Sequence, residues 1–266
     1  MRPLLGTYVE IGFRPAPGTE HAVDAAFAAI AEIDRRLSFH DPSSELSRLN
    51  SCRGAYQPLS PIALQVLHLA RAMTAASGGL FNCTLGGLLV RCGVLPDHDR
   101  RESLDSGTAD DIRIERRGAR LLRDVKITLD GIAKGYAVDR AVAALRRGGV
   151  PAGWVNAGGD LRAFGDLTLP VQRREVDGAI RPLGGLQDAA IASSAVCTPR
   201  AARTPGIIVG GEDQRPAPGV WSVLARQAWR ADALTKVAAL APAQSRPMLV
   251  GRLGGRLLDP VPVSTV

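Results

Sequence analysis

Residues 126–165 constrain the fold more than any other part of the chain. They read KITLDGIAKGYAVDRAVAALRRGGVPAGWVNAGGDLRAFG. A short apolar run leads into a glycine turn and a lysine, an amphipathic helix follows, and a second strand ends in Gly158, Gly159 and Asp160. Glycines at a helix start let backbone N–H groups approach a ligand closely, which suits a phosphate. The segment therefore predicts a strand, a helix and a strand, with a candidate anion site at the helix start.

The predicted helix has one apolar face and an unusual lysine. Val138, Ala141, Val142 and Leu145 are spaced i, i+3, i+4 and i+7, and two arginines and a glycine pair end the helix. Lys134 lies near the helix start, where the helix dipole disfavours a cation, so a nearby anion would explain it. The alternative is a solvated lysine beside an ordinary strand-to-helix turn, because a lone glycine-rich turn is a weak signal.

Composition narrows the class of protein. The chain has 266 residues, 45% hydrophobic and 22% charged, which is typical of a globular protein with a sizeable core. The net charge of +7 comes mainly from arginines spread along the chain, and aromatic residues are only 4%. We therefore expect no nucleic-acid partner. The four cysteines form no C-x-x-C pair, and there is no signal peptide or 18-residue apolar run. These features predict a cytoplasmic protein without membrane insertion.

The order of predicted elements favours an α+β fold. Helices are predicted at residues 20–37, at 61–76 with Ser60 as N-cap, at the central segment and at 231–240. Strands are predicted at residues 5–13, 112–114, 119–122, 126–129, 154–156, 161–164, 167–172, 189–192, 207–209 and 220–225. A polar loop at 38–50 and an apolar connection at 80–89 complete the chain. Most strands follow one another without intervening helices, which argues against a doubly wound sheet. We expect one domain over residues 1–266.

Seven segments stand in an order that is itself informative. They are LLGTYVEI, EIDRRLSFHDPSSELSRLN, SGGLFNCTLGGLL, TLDGIAKGYAVD, WVNAGGDLRAFG, AIASSA and RADALTKVAAL. In sequence and in order they resemble the ApbE family of FAD:protein FMN transferases. The resemblance covers most of residues 5–240. It implies an ApbE-like fold, related to the T-fold, with mixed and largely antiparallel sheets and packed helices.

The resemblance also implies a chemistry. Such enzymes bind FAD and Mg²⁺, cleave the pyrophosphate, and transfer FMN to a threonine hydroxyl of a target flavoprotein with release of AMP. Some relatives instead hydrolyse FAD to FMN and AMP. Because a pyrophosphate is anionic and resists nucleophiles, the protein must mainly position the groups and neutralise developing charge.

Seven residues are implied by the resemblance to surround the flavin nucleotide. They are Leu5, His40, Leu80, Phe81, Asn82, Thr128 and Lys134. His40 stands where the family often has tyrosine, and Phe81 is equally interpretable as a core residue. Asn82 and Thr128 each replace a family aspartate, and Asp130 is expected to restore part of the lost charge.

The metal ligands implied by the resemblance are the carbonyl of Gly131, Asp232 and a threonine four residues after it. Oxygen ligands at i and i+4 share one helix face and suit Mg²⁺. Here position i+4 is Lys236, and the threonine is Thr235 at i+3. Either Thr235 is the ligand, or the Lys236 ammonium takes over part of the metal's role.

The catalytic residue remains unknown from the sequence. The family usually carries H-x-x-D-P-x-T-G between the last two central strands, and its histidine is the suspected general base. This chain reads VCTPRAARTPG there and has no histidine after His98. Glu212 and Asp213 are candidate replacements. Three hypotheses follow: an active transferase or FAD hydrolase, a flavin-binding protein without catalysis, and a basic binding protein with no flavin role.

Overall fold

The computed structural model describes residues 1–52, 54–196, 208–211 and 214–258. The described residues form two compact units. The sheet unit comprises those within Met1–Ala31, Lys134–Ile208 and Pro216–Val266. The helical unit comprises those within Glu32–Ala133 and Val209–Arg215. The expectation of a single domain over residues 1–266 stays a prediction.

The described chain contains both helices and strands, which are numbered in chain order. The strands are β1 Arg2–Leu4, β2 Thr7–Phe13, β3 Gln57–Pro58, β4 Ile112–Glu115, β5 Gly118–Leu121, β6 Gly153–Ala157, β7 Asp160–Phe164, β8 Leu169–Arg174, β9 Ile180–Leu186, β10 Ala190–Val196, β11 Gly219–Ala225 and β12 Gly255–Leu258. The helices are α1 Ala22–Leu37, α2 Glu45–Ser51, α3 Pro61–Ala76, α4 Gly86–Arg91, α5 Ala133–Arg147, α6 Ala228–Leu240 and α7 Arg246–Arg252. No helix among the described residues is long and apolar enough to cross a membrane.

The sheet unit is built on a seven-stranded antiparallel sheet. Its strand order is β1-β2-β6-β7-β10-β11-β12, and α6 packs against β10 and β11. Strands β8 and β9 form a separate antiparallel hairpin. In the helical unit, β3, β5 and β4 form a small antiparallel sheet, against which α3 packs through β4. The predicted α+β class with largely antiparallel sheets is confirmed.

Two predicted helices form as their sequence patterns indicate. On α5, the residues spaced i, i+3, i+4 and i+7 (Val138, Ala141, Val142 and Leu145) are all buried, so the apolar face is confirmed. On α3, the Ser60 hydroxyl accepts a hydrogen bond from the Ala63 N–H at 3.2 Å, as expected of an N-cap.

The strand predicted at residues 126–129 is wrong. Lys126 makes only an isolated bridge to Leu85, and the backbone that follows is paired by a side chain instead. The Asn50 amide donates to the Ile127 carbonyl at 2.8 Å and accepts from the Ile127 N–H at 2.7 Å. Because one carboxamide satisfies both buried backbone groups of Ile127, no strand pairs with that edge of the run, and its other edge makes only single hydrogen bonds to Gly86 and Cys83.

Other boundaries differ from the predictions for local reasons. The strand predicted at residues 5–13 begins two residues later, at Thr7, because Leu5 and Gly6 adopt positive φ in the turn that joins β1 to β2. The predicted apolar connection at 80–89 contains the start of α4. The predicted polar loop at 38–50 contains most of α2, which Ser44 caps by accepting a hydrogen bond from the Ser47 N–H at 3.0 Å. The sequence analysis also missed β1, β3, β9, β12 and α7. For the strand predicted at 207–209, residue 207 lies outside the described residues, and Ile208 and Val209 are not in a strand.

Helices α5 and α6 approach each other closely at Gly135. A Cβ added to Gly135 would lie 2.4 Å from the Ala228 carbonyl oxygen, so only glycine fits there. One turn further along α5, the Asp139 carboxylate accepts hydrogen bonds from the N–H groups of Ala228 and Trp229, both at 3.0 Å. These bonds satisfy backbone donors that the first turn of α6 leaves unpaired. The start of α6 is thus held against the first turns of α5.

Replacing Gly135 with alanine should therefore destabilise the protein by about 1–3 kcal/mol, because the new methyl overlaps backbone atoms that cannot move independently. The matched control is Gly251→Ala in α7, where a Cβ would meet no atom within 4 Å. That change should be neutral or stabilising by up to about 1 kcal/mol. Urea unfolding measures both free energies. Equal stability of the two variants would contradict the close helix contact.

Candidate functional site

The sheet unit contains a pair of buried carboxylates with a lysine beside each. Asp160 begins β7 and is 4% exposed, and Asp232 lies on the second turn of α6 and is 1% exposed. Lys134, on the first turn of α5, places its Nζ 3.7 Å from Asp160 Oδ2. Lys236, one turn beyond Asp232, forms an ion pair with Asp232 Oδ1. Two carboxylates and two ammonium groups thus form one cluster, whose charges balance when both acids are ionised.

The Asp232 carboxylate is held ionised by its partners. Its Oδ2 accepts a hydrogen bond from the Gly135 N–H at 3.3 Å, while Oδ1 faces the Lys236 ammonium. Burial raises the pKa of Asp232, but Lys236, Lys134 and the Gly135 N–H together outweigh it and keep the pKa below its usual range. Asp232 is therefore the anionic centre of the cluster.

Asp160 is less well compensated. Its Oδ2 is buried and receives no hydrogen bond within the described part of the chain, although Lys134 lies nearby. Burial, reinforced by the neighbouring Asp232 carboxylate, raises the pKa of Asp160 to about 7 against the opposing effect of the two lysines. A buried carboxyl oxygen without a hydrogen bond marks this as the place in the cluster where a further polar group is most needed.

Two hydroxyl groups complete the cluster on the α6 side. Thr235, fully buried, donates to the Asp232 carbonyl oxygen at 2.7 Å. Its Oγ1 also lies 2.8 Å from Ser194 Oγ on β10. The Lys236 ammonium reaches the Asp232 carbonyl oxygen at 3.2 Å and Ser194 Oγ at 3.5 Å. The oxygen atoms on this side of the cluster are therefore already engaged with one another or with Lys236.

These donors do not fit a divalent cation. Lys236 holds Asp232 Oδ1 where the predicted magnesium site needs an open carboxylate oxygen, and two ammonium groups would repel a dication. Across the described ranges, no group of three His, Cys, Asp or Glu side chains is placed to hold a metal ion. The set Gly131, Asp232 and Thr235 stays a prediction: Asp232 and Thr235 are neighbours in the sheet unit, and Gly131 precedes α5 in the helical unit.

The flavin-contacting residues predicted in the helical unit are in varied environments. Leu80, Phe81 and Asn82 follow α3, and the Thr128 N–H donates to the Cys83 carbonyl at 2.8 Å, so Thr128 lies beside this segment. His40 is exposed on the loop after α1.

Two of these side chains already have structural roles. Phe81 is buried, 4% exposed, as expected of a core residue. The Asn82 amide donates to the Gly107 carbonyl at 3.1 Å and accepts from the Thr84 hydroxyl at 2.7 Å. Asn82 therefore organises the loop in which it lies, which needs no ligand.

The two flavin-contacting residues predicted in the sheet unit have different surroundings. Leu5 is half-buried in the turn between β1 and β2, and Lys134 belongs to the charge cluster. The predicted contacts of all seven residues with a flavin stay predictions.

Sequence reasoning missed the roles of Asp160 and Ser194. Asp160 ends the motif GGD, and an acid placed directly after two glycines at a strand turn was the available signal. Ser194 offered none, because its role depends on the pairing of β10 with β11 and on α6. The candidate bases Glu212 and Asp213 lie outside the described residues.

The pKa of Asp160 predicts how stability depends on pH. An unfolded aspartate loses its proton near pH 3.8, and Asp160 in the folded protein loses its proton near pH 7. Between these values folding requires Asp160 to take up a proton, so the stability of the folded protein falls as pH rises. Asp160→Asn removes this titration. In metal-free buffer, the stability of the variant minus that of wild type should rise from pH 4 to pH 7, at up to about 1.4 kcal/mol per pH unit, and level off above pH 7.

Urea unfolding at several pH values measures this difference. Asp166→Asn, which changes an exposed acid, is the control and should give a flat difference. A flat difference for Asp160→Asn as well would contradict the raised pKa.

Comparison with known proteins agrees with the fold described above. The chain aligns over 97% of its length with 92% of the apo form of a Pseudomonas stutzeri flavinyl transferase ApbE, at 19% identity and a TM-score of 0.80. An ApbE protein from Thermotoga maritima aligns over 96% of this chain and 91% of its own, at 22% identity and a TM-score of 0.79. A flavin transferase ApbE from Vibrio cholerae aligns over 94% and 85%, at 20% identity and a TM-score of 0.73.

The family assignment has separate support. No curated protein matches the chain significantly. The sequence model of the ApbE family, however, matches residues 5–256 and so covers nearly the whole chain. The chain belongs to the ApbE family.

Proposed function

We propose that this protein is an FAD:protein FMN transferase. It takes FMN from FAD, transfers it to a threonine hydroxyl of a target flavoprotein and releases AMP. Membership of the ApbE family over residues 5–256 is the observation that carries the proposal. The similar folds of a flavinyl transferase and a flavin transferase, both named ApbE, support it. We further propose that the acceptor residue is a threonine, that AMP is the second product and that the protein acts in the cytoplasm.

The charge cluster offers the chemistry that this reaction needs. The threonine oxygen attacks the flavin-side phosphorus and loses its hydroxyl proton to solvent, while the bond from that phosphorus to the bridging oxygen breaks, so AMP leaves with the bridging oxygen. Negative charge accumulates on the phosphoryl oxygens during this step. Lys134 lies on the first turn of α5, where its ammonium and the helix dipole both favour an anion. We therefore assign Lys134 to neutralising the pyrophosphate.

The other residues that we propose to contact the flavin nucleotide lie in both units. They are Leu5 in the sheet unit and His40, Leu80, Phe81, Asn82 and Thr128 in the helical unit. Magnesium enters no step here, because the described donor set does not fit it; Mg²⁺ as cofactor stays a prediction.

A second candidate function is FAD binding with weak or hydrolytic turnover. The observation that favours it is the absence of any histidine after His98, where the family motif carries its suspected general base. Without a base, a threonine hydroxyl is a poor nucleophile. This alternative predicts AMP without an acceptor, or bound FAD without AMP.

Lys134→Ala should lower the rate of AMP release from FAD by tenfold or more, on the scale of removing one group that stabilises transition-state charge (~100-fold). Arg147→Ala, which removes an exposed cation at the other end of α5, is the control and should leave the rate unchanged. Chromatography of AMP, with and without an acceptor peptide, measures both rates. AMP only with acceptor supports the transferase. AMP without acceptor indicates a hydrolase, and no AMP from wild type contradicts both activities.

A further inference from the structure

The Lys236 ammonium is bound as a metal ion would be. It lies within hydrogen-bonding distance of three oxygen atoms: Asp232 Oδ1, the Asp232 carbonyl oxygen at 3.2 Å and Ser194 Oγ at 3.5 Å. A protonated lysine has three N–H donors, so each has an acceptor. Carboxylate, carbonyl and hydroxyl oxygens are also the ligand types that Mg²⁺ takes in proteins. The ammonium thus occupies a site formed by these three oxygen atoms, here called the oxygen cage.

The hydroxyl of Thr235, which lies beside these three oxygen atoms, is not free to bind a cation in place of Lys236. Thr235 Oγ1 donates its only proton to the Asp232 carbonyl oxygen and is bonded to Ser194 Oγ. Turning it toward a cation would break a hydrogen bond at a fully buried position. Of the two alternatives that the sequence left open, this geometry favours Lys236.

The charges in the cluster lead to the same conclusion. Lys134 and Lys236 supply two positive charges, against at most two negative charges from Asp160 and Asp232. A divalent cation would have to displace an ammonium from a carboxylate that is 1% exposed. A buried pair is strongly destabilised when one partner is removed, so the lysine is not easily displaced.

We propose that Lys236 is the resident cation of this site, and that the protein binds the flavin nucleotide without a divalent metal ion there. The ammonium neutralises Asp232 and contributes positive charge, rather than a hydrogen bond, to the bound pyrophosphate. The binding of a flavin nucleotide rests on the proposed function, whereas occupation of the metal position by Lys236 does not.

Mn²⁺ binding tests the resident cation directly, because free Mn²⁺ is measured by electron paramagnetic resonance without any enzyme activity. Wild type should not bind Mn²⁺ at this site. Lys236→Thr vacates the cage and supplies a hydroxyl at i+4, so it should bind Mn²⁺ at least tenfold more tightly than wild type. Adding Asp232→Asn should abolish the gain. Arg252→Thr, which removes an exposed cation elsewhere, is the control and should not bind Mn²⁺.

Two results would overturn the proposal. One is Mn²⁺ binding by wild type that Asp232→Asn abolishes. The other is a folded Lys236→Thr variant, verified by circular dichroism, that gains no Mn²⁺ binding. If that variant does not fold, the comparison of wild type with Asp232→Asn still decides the question, because the proposal requires no Asp232-dependent Mn²⁺ binding.

FAD fluorescence titration separates this inference from the proposed function. The proposal predicts FAD dissociation constants that agree within twofold in EDTA and in Mg²⁺. Binding only in Mg²⁺ would overturn the metal-free site and leave the transferase proposal standing. No FAD binding in either buffer would overturn the metal-free nucleotide site together with the proposed function, and the Mn²⁺ comparison would still test the cation.

Discussion

The buried carboxylate of Asp232 is the constraint on which the candidate site depends. An ionised carboxylate that is 1% exposed is stable only if charged and hydrogen-bonding partners replace its water. Gly135 supplies a backbone N–H from α5, and Lys236 supplies an ammonium from α6 itself. Each partner requires a particular backbone geometry, so the chemistry of one side chain fixes the arrangement of two helices.

The helix junction meets this requirement with two sequence features. Gly135 has no side chain to hold α6 away, and Asp139 satisfies the first N–H groups of α6. The same short stretch of α5 also carries Lys134, whose ammonium faces Asp160. Packing, capping and charge compensation are therefore encoded within two turns of one helix. Because its two ammonium groups at least match its two carboxylates, the cluster carries no net negative charge before any ligand binds, and an added dication is disfavoured.

The sequence predicted those features that depend on local pattern. The apolar spacing on α5 and the Ser60 cap on α3 formed as expected, because helix periodicity and capping are decided within a few residues. The prediction of a strand at 126–129 failed, because the Asn50 side-chain amide, which is distant in sequence, hydrogen-bonds the backbone of Ile127. The prediction of a strand through Leu5 failed because a hydrophobic residue with positive φ has no strong sequence signature.

The candidate site shows the same division. Asp232, Thr235 and Lys236 share one turn of a helix, so their proximity follows from sequence spacing. Asp160 and Ser194 join them only through sheet pairing and helix packing, which no local pattern specifies. The family motifs came closest to revealing this part of the site, because they placed GGD and ASSA among the matching segments without assigning their roles.

The central claim is that this chain transfers a flavin nucleotide to protein. Mass spectrometry of a threonine-containing acceptor flavoprotein, after incubation with the purified protein and FAD, tests it most directly. The account predicts an acceptor whose mass rises by one FMN, with the addition on a threonine and retained in EDTA. An unmodified acceptor, with intact FAD and no AMP in the same mixture, would contradict it.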